Sequence, residues 1–592
     1  MNGASLLARM LRAYDVECLF GVPGDMSVVF YSALREQSLR HVLARDERSA
    51  GYMADAYARA ANRPGVVEVP GGAGTAYALA AVAEAHASSV PIIVITLDNP
   101  QLVEGRGFIA ELDCTTLYKS ITKESILVKA ARKIPETVRR AFRIATSGRP
   151  GAVHIAVPED IMHDEVEPTS VSLHAEAACK SFPAFCPHAD PADVQRLAAA
   201  IAAARRPLII AGGGVNRSGA GSALTTFAER YGVPVVTTIT GQSAIADRHD
   251  LSIGVVGDNG FHPHANRALE ESDLLVYVGC RNGSVVSIGW TFPATDRNRK
   301  LVQVDVDPTI LGNNTDNALS IVSDARLLFE ALNALPVAKS AMDADWLPTL
   351  SAWRALFWEH AQRELDKWRS SVPLAPQVVI DALNRRLGQD HLLYSDPGTP
   401  TPYLCRHLRF NDSKSRLIMQ RGIGGLGYAL PAVVGGWYAC PQTRPIGLFG
   451  DGSFGMSAGE LETVVRLGIP AILMHFNNSS FAWIKAIQLV NGFTEGLSVD
   501  FKHQDYVAIA RGFGLHAIRA QSAQELEQAL DEAFAHPGPV FLDIIVRSIA
   551  EDVPPVFRWL RRSGIDPLKV GDQTLTYGEA GYAAPRKGAA AS

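Results

Sequence analysis

Two short polar motifs in the last third of the chain carry the residue types of a magnesium and diphosphate site. Residues 450–453 read Gly-Asp-Gly-Ser after an apolar run, and a second apolar run ends in Asn477 and Asn478. The glycines allow backbone N–H groups to approach an anion, and a helix predicted from about Ser457 adds a positive dipole end. Asp451 and Asn478 offer the hard oxygen ligands that Mg²⁺ prefers. Both motifs end consecutive predicted strands, so we expect them at one sheet edge, where ligands bind in open α/β folds.

A third candidate residue is Glu47, at the start of a helix predicted over residues 48–61. A lone glutamate there usually only complements the helix dipole. Its surroundings are more specific, because Gly-Val-Pro-Gly at 21–24 precedes it and a Gly-Gly-Ala-Gly loop at 71–74 follows it.

Together these motifs resemble those of thiamine diphosphate (ThDP) dependent enzymes of the acetolactate synthase-like superfamily, over about residues 4–546. The resemblance implies that Asp451, Asn478 and the backbone carbonyl of Ser480 hold Mg²⁺. It also implies that Gly452 and Ser453 contact the diphosphate. Alone, Gly-Asp-Gly is more typical of a surface turn, but the spacing of the two motifs favours the cofactor site.

The resemblance also implies how the cofactor rings are held. Glu47 would hydrogen-bond the N1′ atom of the aminopyrimidine and so promote loss of the thiazolium C2 proton. Leu426 would be the apolar wedge between the two rings, although a plain core role is the alternative. The backbone at Gly398 and Gly425 would reach the pyrimidine edge. In this family the cofactor lies between the first domain of one subunit and the third domain of another, which implies a homodimer or homotetramer.

The substrate side departs from the synthase pattern. Synthases carry Pro-Gly-Gly where this chain has Pro-Gly-Asp, ending in Asp25, and Phe-Gln-Glu where it has Ile-Ala-Glu, ending in Glu111. The polar residues Asp25, Glu111, Glu495 and His503 are candidates for moving protons near a substrate, and solvated loop positions are their alternative.

The end of the chain, residues 548–592, is a candidate lid. Residues 554–562 combine two aromatic residues with three arginines, and arginine pairs well with phosphate. Oxalyl-CoA decarboxylases and 2-hydroxyacyl-CoA lyases of the same superfamily use such segments, so we favour a 2-hydroxyacyl-CoA lyase that cleaves its substrate to a ketone or aldehyde plus formyl-CoA. For the tail, the alternative is a packing extension on the protein surface. For the protein, the alternatives are a 2-oxo acid decarboxylase, an acetolactate synthase-like carboligase and a non-catalytic ThDP-binding paralogue.

The middle of the chain resembles the domain that binds FAD, ADP or nothing in relatives. Gly213 belongs to a Gly-Gly-Gly turn after a strand-like run, and Asp305 and Asp324 are placed for contacts with a nucleotide. We favour ADP or an empty site over FAD, because the flavin-contacting stretch of the synthases is not clearly preserved. Ordinary strand-end turns are the alternative.

The strands and helices that position these residues can be predicted from a regular alternation of apolar and amphipathic stretches along the chain. Short apolar runs, such as 92–96, 274–278 and 540–546, alternate with longer amphipathic stretches, which predicts parallel sheets covered by helices. We therefore predict an α/β protein with three doubly wound parallel-sheet domains. Their bounds are a pyrimidine-binding domain at 1–165, a central nucleotide-binding-like domain at 190–337, a diphosphate- and magnesium-binding domain at 372–547 and the tail at 548–592.

The composition is ordinary for a soluble globular protein. The 592 residues are 47% hydrophobic and 20% charged, and the formal net charge of −5 argues against a nucleic-acid partner. Seven cysteines without a CxxC pair, no signal pattern and no apolar run long enough for a bilayer predict a cytoplasmic protein without a membrane partner. A small-molecule substrate, with a CoA thioester as one option, is the expected partner.

Overall fold

The chain forms three parallel sheets of six strands each, flanked by helices. The structure is a computed structural model that describes residues 1–294, 298–412, 414–551 and 553–570. The α/β fold with three doubly wound parallel sheets is confirmed. The sheets span residues 18–158, 207–322 and 392–545, inside the predicted domains, whose boundaries stay predictions.

The first domain contains six strands and seven helices. Its strands are β1 Cys18–Gly21, β2 Arg40–Leu43, β3 Gly65–Pro70, β4 Ile92–Asp98, β5 Glu124–Leu127 and β6 Val153–Pro158. Its helices are α1 Gly3–Ala13, α2 Val28–Glu36, α3 Glu47–Ala61, α4 Ala73–Ala87, α5 Cys114–Lys119, α6 Ile134–Thr146 and α7 Glu159–His163. The strand order is β2-β1-β3-β4-β6-β5.

The central domain follows the same plan. Its strands are β7 Pro207–Ala211, β8 Val235–Thr237, β9 Ser252–Val255, β10 Leu274–Val278, β11 Lys300–Asp305 and β12 Leu319–Val322. Its helices are α8 Pro191–Ala203, α9 Gly213–Arg217, α10 Gly221–Tyr231, α11 Pro263–Glu271 and α12 Ala325–Ala334. The order is β12-β11-β10-β7-β8-β9, and helix α13 Trp346–Trp368 leads to the third domain.

The third domain repeats the strand order of the first, as β14-β13-β15-β16-β18-β17. The strands are β13 Leu392–Ser395, β14 Arg416–Met419, β15 Ile446–Gly450, β16 Ile472–Asn477, β17 His516–Ala520 and β18 Val540–Ile545. The helices are α14 Pro376–Asn384, α15 Pro400–His407, α16 Ala429–Ala439, α17 Asp451–Ser457, α18 Glu460–Arg466, α19 Ala482–Val490, α20 Tyr506–Gly512 and α21 Ala523–Ala535, with α22 Phe557–Arg562 in the tail.

Helix α3 of the first domain packs on helix α16 of the third, so the two domains share one apolar core. Gly435 permits the close approach, because a Cβ added there would lie 2.0 Å from the carbonyl oxygen of Met53. Asp46 caps the start of α3 by accepting two backbone N–H groups of its first turn. The helix that carries Glu47 is therefore anchored at its start and buried along most of its length.

Two further properties bear on the sequence predictions. All seven cysteines are free thiols. Within the described ranges, no helix combines the length and apolar character needed to cross a bilayer.

Candidate active site

The Gly-Asp-Gly-Ser and Asn-Asn motifs meet at the carboxyl edge of the third sheet. Strands β15 and β16 are parallel neighbours, with Gly450 opposite Phe476. Helix α17 begins at Asp451, earlier than the start near Ser457 that the sequence indicated. Gly450 is extended and directly precedes the helix, so Asp451 lies in the first turn, where a carboxylate complements the helix dipole.

Asp451 has a buried oxygen that accepts no hydrogen bond from the residues that the structure describes. Its Oδ2 accepts the backbone N–H of Asn478 at 2.9 Å. Its Oδ1 has no hydrogen-bond partner among the described residues and lies 3.6 Å from Nε2 of His475. Burial raises the pKa of the Asp451 carboxyl, and the neighbouring His475 partly opposes that shift. A buried, unpartnered carboxylate oxygen fits a cation at this position.

The other two predicted metal ligands lie beside Asp451. Oδ1 of Asn478 accepts the hydroxyl of Ser480 at 3.0 Å, and Ser479 between them adopts a left-handed φ of 53° that turns the chain. The amide nitrogen of Asn478 donates to Oγ1 of Thr399 at 3.5 Å, a contact that the sequence did not suggest. The structure thus brings all three predicted metal-ligand residues together.

The predicted diphosphate and pyrimidine contacts surround the same edge. A Cβ added at Gly452 would lie 2.1 Å from a ring carbon of Phe481, so only glycine fits there. Ser453 is buried next to the carboxylate of Asp396. Gly398 has a φ of 124°, and a Cβ added there would meet no atom within 4 Å, which leaves its backbone open to a ligand.

Asp396, at the end of β13, fixes the backbone on one side of Leu426. Its Oδ1 accepts the N–H groups of Gly427 at 2.8 Å and Tyr428 at 2.9 Å, and its Oδ2 accepts that of Ala429 at 2.8 Å. Burial raises the pKa of the Asp396 carboxyl to about 6. Sequence reasoning missed Asp396, although an acid that ends a strand shortly before Gly398 was a usable signal.

Leu426 and Gly425 lie on a partly exposed stretch beside the first domain. A Cβ added at Gly425 would lie 2.6 Å from the hydroxyl of Tyr52 on α3 and 3.7 Å from Oε1 of Gln420. The amide of Gln420 is buried, and neither its oxygen nor its nitrogen has a hydrogen-bond partner in the described part of the chain. These polar atoms next to Gly425 fit a ligand with a polar edge.

Glu47 is the first residue of α3 and is half-buried. Burial raises the pKa of its carboxyl, and the nearby Asp46 and Glu68 add to that shift. A Cβ added at Gly74 would lie 2.8 Å from Oε1 of Glu47 and 2.7 Å from Cγ of Pro70. The glycine therefore leaves the room that the Glu47 carboxylate occupies.

The four predicted proton-transfer residues all lie on exposed segments. Asp25 begins a short helical turn in the first domain, and Glu495 and His503 lie in the third domain after α19. Glu111 accepts backbone N–H groups from its own loop, including that of Gly107 at 3.0 Å, and these bonds lower the pKa of its carboxyl. Glu111 therefore shapes loop 105–111, and the catalytic roles of the four residues stay predictions.

A cavity of about 520 Å³ lies beside the central sheet and contains the three predicted nucleotide contacts, Gly213, Asp305 and Asp324. Asp324 caps α12 by accepting the N–H groups of Arg326 at 3.0 Å and of the next residue, and burial raises the pKa of the Asp305 carboxyl. Five arginines from all three domains also line the cavity: Arg59, Arg149, Arg217, Arg281 and Arg421.

The tail packs against the central and third domains as far as residue 570. The carboxylate of Asp258 accepts the backbone N–H of Arg558 at 3.0 Å and its Nε at 2.9 Å. Trp559 lies 4.5 Å from Trp483 of α19, measured between ring centroids, and Phe557 is buried. Residues 571–592 of the predicted lid lie outside the described residues.

Comparison with known proteins identifies the family. Family models match three segments: the thiamine pyrophosphate enzyme N-terminal TPP binding domain at residues 1–117, the central domain at 194–335 and the C-terminal TPP binding domain at 396–544. A probable acetolactate synthase large subunit of Methanococcus aeolicus is 31% identical over 94% of this chain and 94% of that protein. The chain therefore belongs to the thiamine pyrophosphate enzyme family, and it is a ThDP-dependent enzyme.

Other relatives carry the same name. The acetolactate synthase large subunit of Corynebacterium glutamicum is 29% identical over 97% of this chain and 92% of its own length. The isozyme 3 large subunit of Escherichia coli is 29% identical over 96% of this chain and 98% of its own length. These names favour the carboligase alternative over the 2-hydroxyacyl-CoA lyase.

Proposed function

We propose that the protein is a ThDP- and Mg²⁺-dependent carboligase that decarboxylates a 2-oxo acid and joins the remaining acyl group to a second carbonyl compound. Carbon dioxide leaves, one carbon–carbon bond forms, and the acceptor oxygen takes up a proton. One observation supports this above all. The chain has both Glu47, at the start of α3 in the first domain, and Asp451 beside Asn478 in the third domain, with an Asp451 oxygen that accepts no hydrogen bond from the described residues.

The residues around the predicted ring site have separate tasks. When bound, ThDP supplies the nucleophilic carbon and the electron sink of the reaction. The Glu47 carboxyl would exchange a proton with N1′ of the pyrimidine, and partial burial keeps that proton available by raising the pKa. Leu426 would separate the two rings, and the backbone of Gly398 and Gly425 would bind the pyrimidine edge.

For the metal, Asp451, the Asn478 side-chain oxygen and the Ser480 carbonyl would supply three oxygen ligands. Across the described ranges, no three His, Cys, Asp or Glu side chains cluster as a metal site. The three oxygen ligands suit Mg²⁺, because this ion completes its shell with phosphate oxygens and water. Gly452 and Ser453 would then lie beside the diphosphate.

We further propose a homodimer or homotetramer in which Glu47 of one copy faces Asp451 of another. The proposal follows the subunit arrangement that the family resemblance implies. Large apolar side chains that an interface could cover are exposed on the first and third domains. They are Val28, Tyr77, Leu102, Ile109, Ile423, Met456, Ile484, Phe493 and Leu497.

Mixed subunits test this arrangement. Glu47→Gln and Asp451→Asn proteins, each inactive alone, should regain about a quarter of wild-type activity after subunit exchange, since half of the dimers then hold one intact site of two. No recovery, with exchange verified by mass, would place both residues in a site within one chain.

The central cavity is proposed to bind an adenine nucleotide such as ADP, with FAD less favoured. Its volume lies within the usual range for small-ligand sites, and its arginines suit phosphate groups. Calorimetric titration with ADP and with FAD tests this assignment. Binding of FAD alone would reverse the preference, and binding of neither would leave the domain structural.

The 2-hydroxyacyl-CoA lyase is the second candidate. Its support is the ThDP motifs, the departure from the synthase pattern at Asp25 and Glu111, and the tail arginines. Of these arginines, Arg558 pairs with Asp258 and Arg562 donates to Asn491 at 2.8 Å. These contacts support a packing role for the described tail, in which Arg558, Arg561 and Arg562 are all exposed. We therefore rank this activity below the carboligase.

The deciding experiment incubates the protein with ThDP and Mg²⁺ and either pyruvate or a 2-hydroxyacyl-CoA, with Glu47→Gln as the control. Acetolactate formed from pyruvate, and absent from the control, would support the proposal. Acetaldehyde alone would indicate a decarboxylase, and cleavage of the CoA substrate alone would establish the lyase. ThDP binding without turnover of either substrate would favour a non-catalytic paralogue.

A further inference from the structure

A single carboxylate from the first domain, that of Glu84 on α4, binds the loop that precedes Leu426. Glu84 is fully buried. Its Oε1 accepts the backbone N–H groups of Arg421 at 3.1 Å and Gly422 at 2.9 Å. Its Oε2 accepts those of Ile423 at 2.7 Å and Gly424 at 3.1 Å. Four consecutive N–H groups of the third domain thus converge on one side chain of the first.

The Glu84 carboxylate is stabilised in its ionised form. Burial alone would raise its pKa, but the guanidinium of Arg59 at 3.7 Å, the hydroxyl of Ser88 at 2.6 Å and the loop N–H groups together hold the pKa below its ordinary value. Hydrogen bonds to an ionised acceptor are about twice as strong as neutral ones. The loop is therefore bound by an ion and not by a neutral side chain.

The loop packs directly on the end of α4. A Cβ added at Gly422 would lie 2.8 Å from Cβ of Ala87 and 2.9 Å from Oγ of Ser88, so only glycine fits the contact. Gly424 has a φ of 73°, a left-handed conformation that glycine adopts without strain. Beyond Leu426, the carboxylate of Asp396 binds the next three N–H groups. Leu426 is thus held between two carboxylates from different domains.

Resting on the proposed function, we infer that Glu84 is a positioning residue for ThDP, which it serves by holding loop 421–424 so that Gly425 and Leu426 are ordered before the cofactor binds. A glutamine in its place has one acceptor oxygen and turns an NH₂ group toward the remaining N–H donors. Part of the loop would then be ordered only when ThDP binds, and that ordering would weaken binding.

The test measures the dissociation constant of ThDP by calorimetry at saturating Mg²⁺, beside the KM for ThDP and kcat. Glu84→Gln should raise the dissociation constant and the KM by about tenfold to hundredfold, with a smaller effect on kcat at saturating ThDP. Ser88→Ala, which removes one bond to Oε1, should shift both in the same direction by a smaller factor.

Asp247→Asn is the matched control. Asp247 is also a carboxylate that links two domains, but its Oδ2 accepts the N–H of Phe410 at 2.7 Å and not an N–H of loop 421–424. We expect the ThDP dissociation constant of Asp247→Asn to equal that of the wild type. This result would show that a weakened contact between domains does not by itself weaken ThDP binding.

The outcomes are distinct. Equal ThDP dissociation constants for Glu84→Gln and the wild type would overturn the positioning role. If Glu84→Gln does not fold, an unchanged dissociation constant in Ser88→Ala overturns it instead. A wild-type protein that does not bind ThDP at all would overturn the proposed function, and the positioning role with it.

Discussion

Replacing Gly74 by alanine tests whether Glu47 needs the space that the glycine leaves. The added Cβ would lie 2.8 Å from Oε1 of Glu47 and 2.7 Å from Cγ of Pro70. Favourable contacts between carbon atoms are about 3.5–4.0 Å, so the added Cβ crowds both the proline ring and the carboxylate. Relief of the contact with Oε1 requires the Glu47 carboxylate and the helix start to separate by roughly half an ångström or more. Because a misplacement of about 1 Å can cost about 10²-fold in rate, we expect a loss of about 10- to 100-fold. Overpacking should also destabilise the domain by about 1–3 kcal/mol.

The assay follows exchange of the thiazolium C2 proton of bound ThDP for deuterium, by acid quench and proton NMR, and therefore needs no substrate. Gly512→Ala is the control, because a Cβ added at Gly512 on α20 would meet no atom within 4 Å. We expect wild-type exchange in Gly512→Ala and slow exchange in Gly74→Ala at saturating cofactor. Wild-type exchange in Gly74→Ala with ThDP bound would refute the reasoning.

Three further predictions concern the metal, pH and the tail. Asp451→Asn should weaken Mn²⁺ binding in the presence of ThDP by at least about tenfold, because it removes the one charged predicted ligand. Electron paramagnetic resonance of Mn²⁺ measures the affinity, and an unchanged affinity excludes Asp451 as a ligand. Burial raises the pKa of Asp247 to about 6, above its unfolded value, so its contribution to the folding free energy is present at low pH and is lost as pH rises through about 6. Asp247→Asn should therefore remove about 2–3 kcal/mol of the decline in unfolding free energy between about pH 4 and 7, and an unaltered pH dependence in urea titrations would contradict this. Phe557→Ala should lower the free energy of unfolding by about 3–5 kcal/mol, since the ring is buried against Phe261 and Phe292. A change near zero in denaturant unfolding would show that the tail does not pack.

Much of the fold could be read from local patterns. Residues 274–278 were predicted as a strand and form β10, because a central parallel strand is buried on both faces and therefore reads as a continuous apolar run. The motifs around Asp451 and Asn478 were predicted to share a sheet edge, and they do, because consecutive strands β15 and β16 are also neighbours in the sheet.

Other features depended on contacts that no local pattern encodes. The N–H of Arg421 that Glu84 accepts lies 337 residues away along the chain, so neither segment reveals the other. The sequence also suggested a lid at 548–592 with arginines at 558, 561 and 562, and only the structure shows that Arg558 is paired with Asp258 from the central domain. A side chain looks free in a sequence until the partner that neutralises it is placed beside it.

The sequence by itself determined the α/β plan of three parallel-sheet domains, because hydrophobic periodicity acts over short distances. It also carried the motifs whose resemblance to ThDP-dependent enzymes implied the cofactor. The tertiary structure decided which carboxylates are buried, as in Asp396 and Glu84, and which glycines are needed for close contact, as in Gly74. The physical reason is that the ionisation of a carboxylate and the room around a backbone atom depend on burial and on donors from distant segments, and both arise only when the domains pack together.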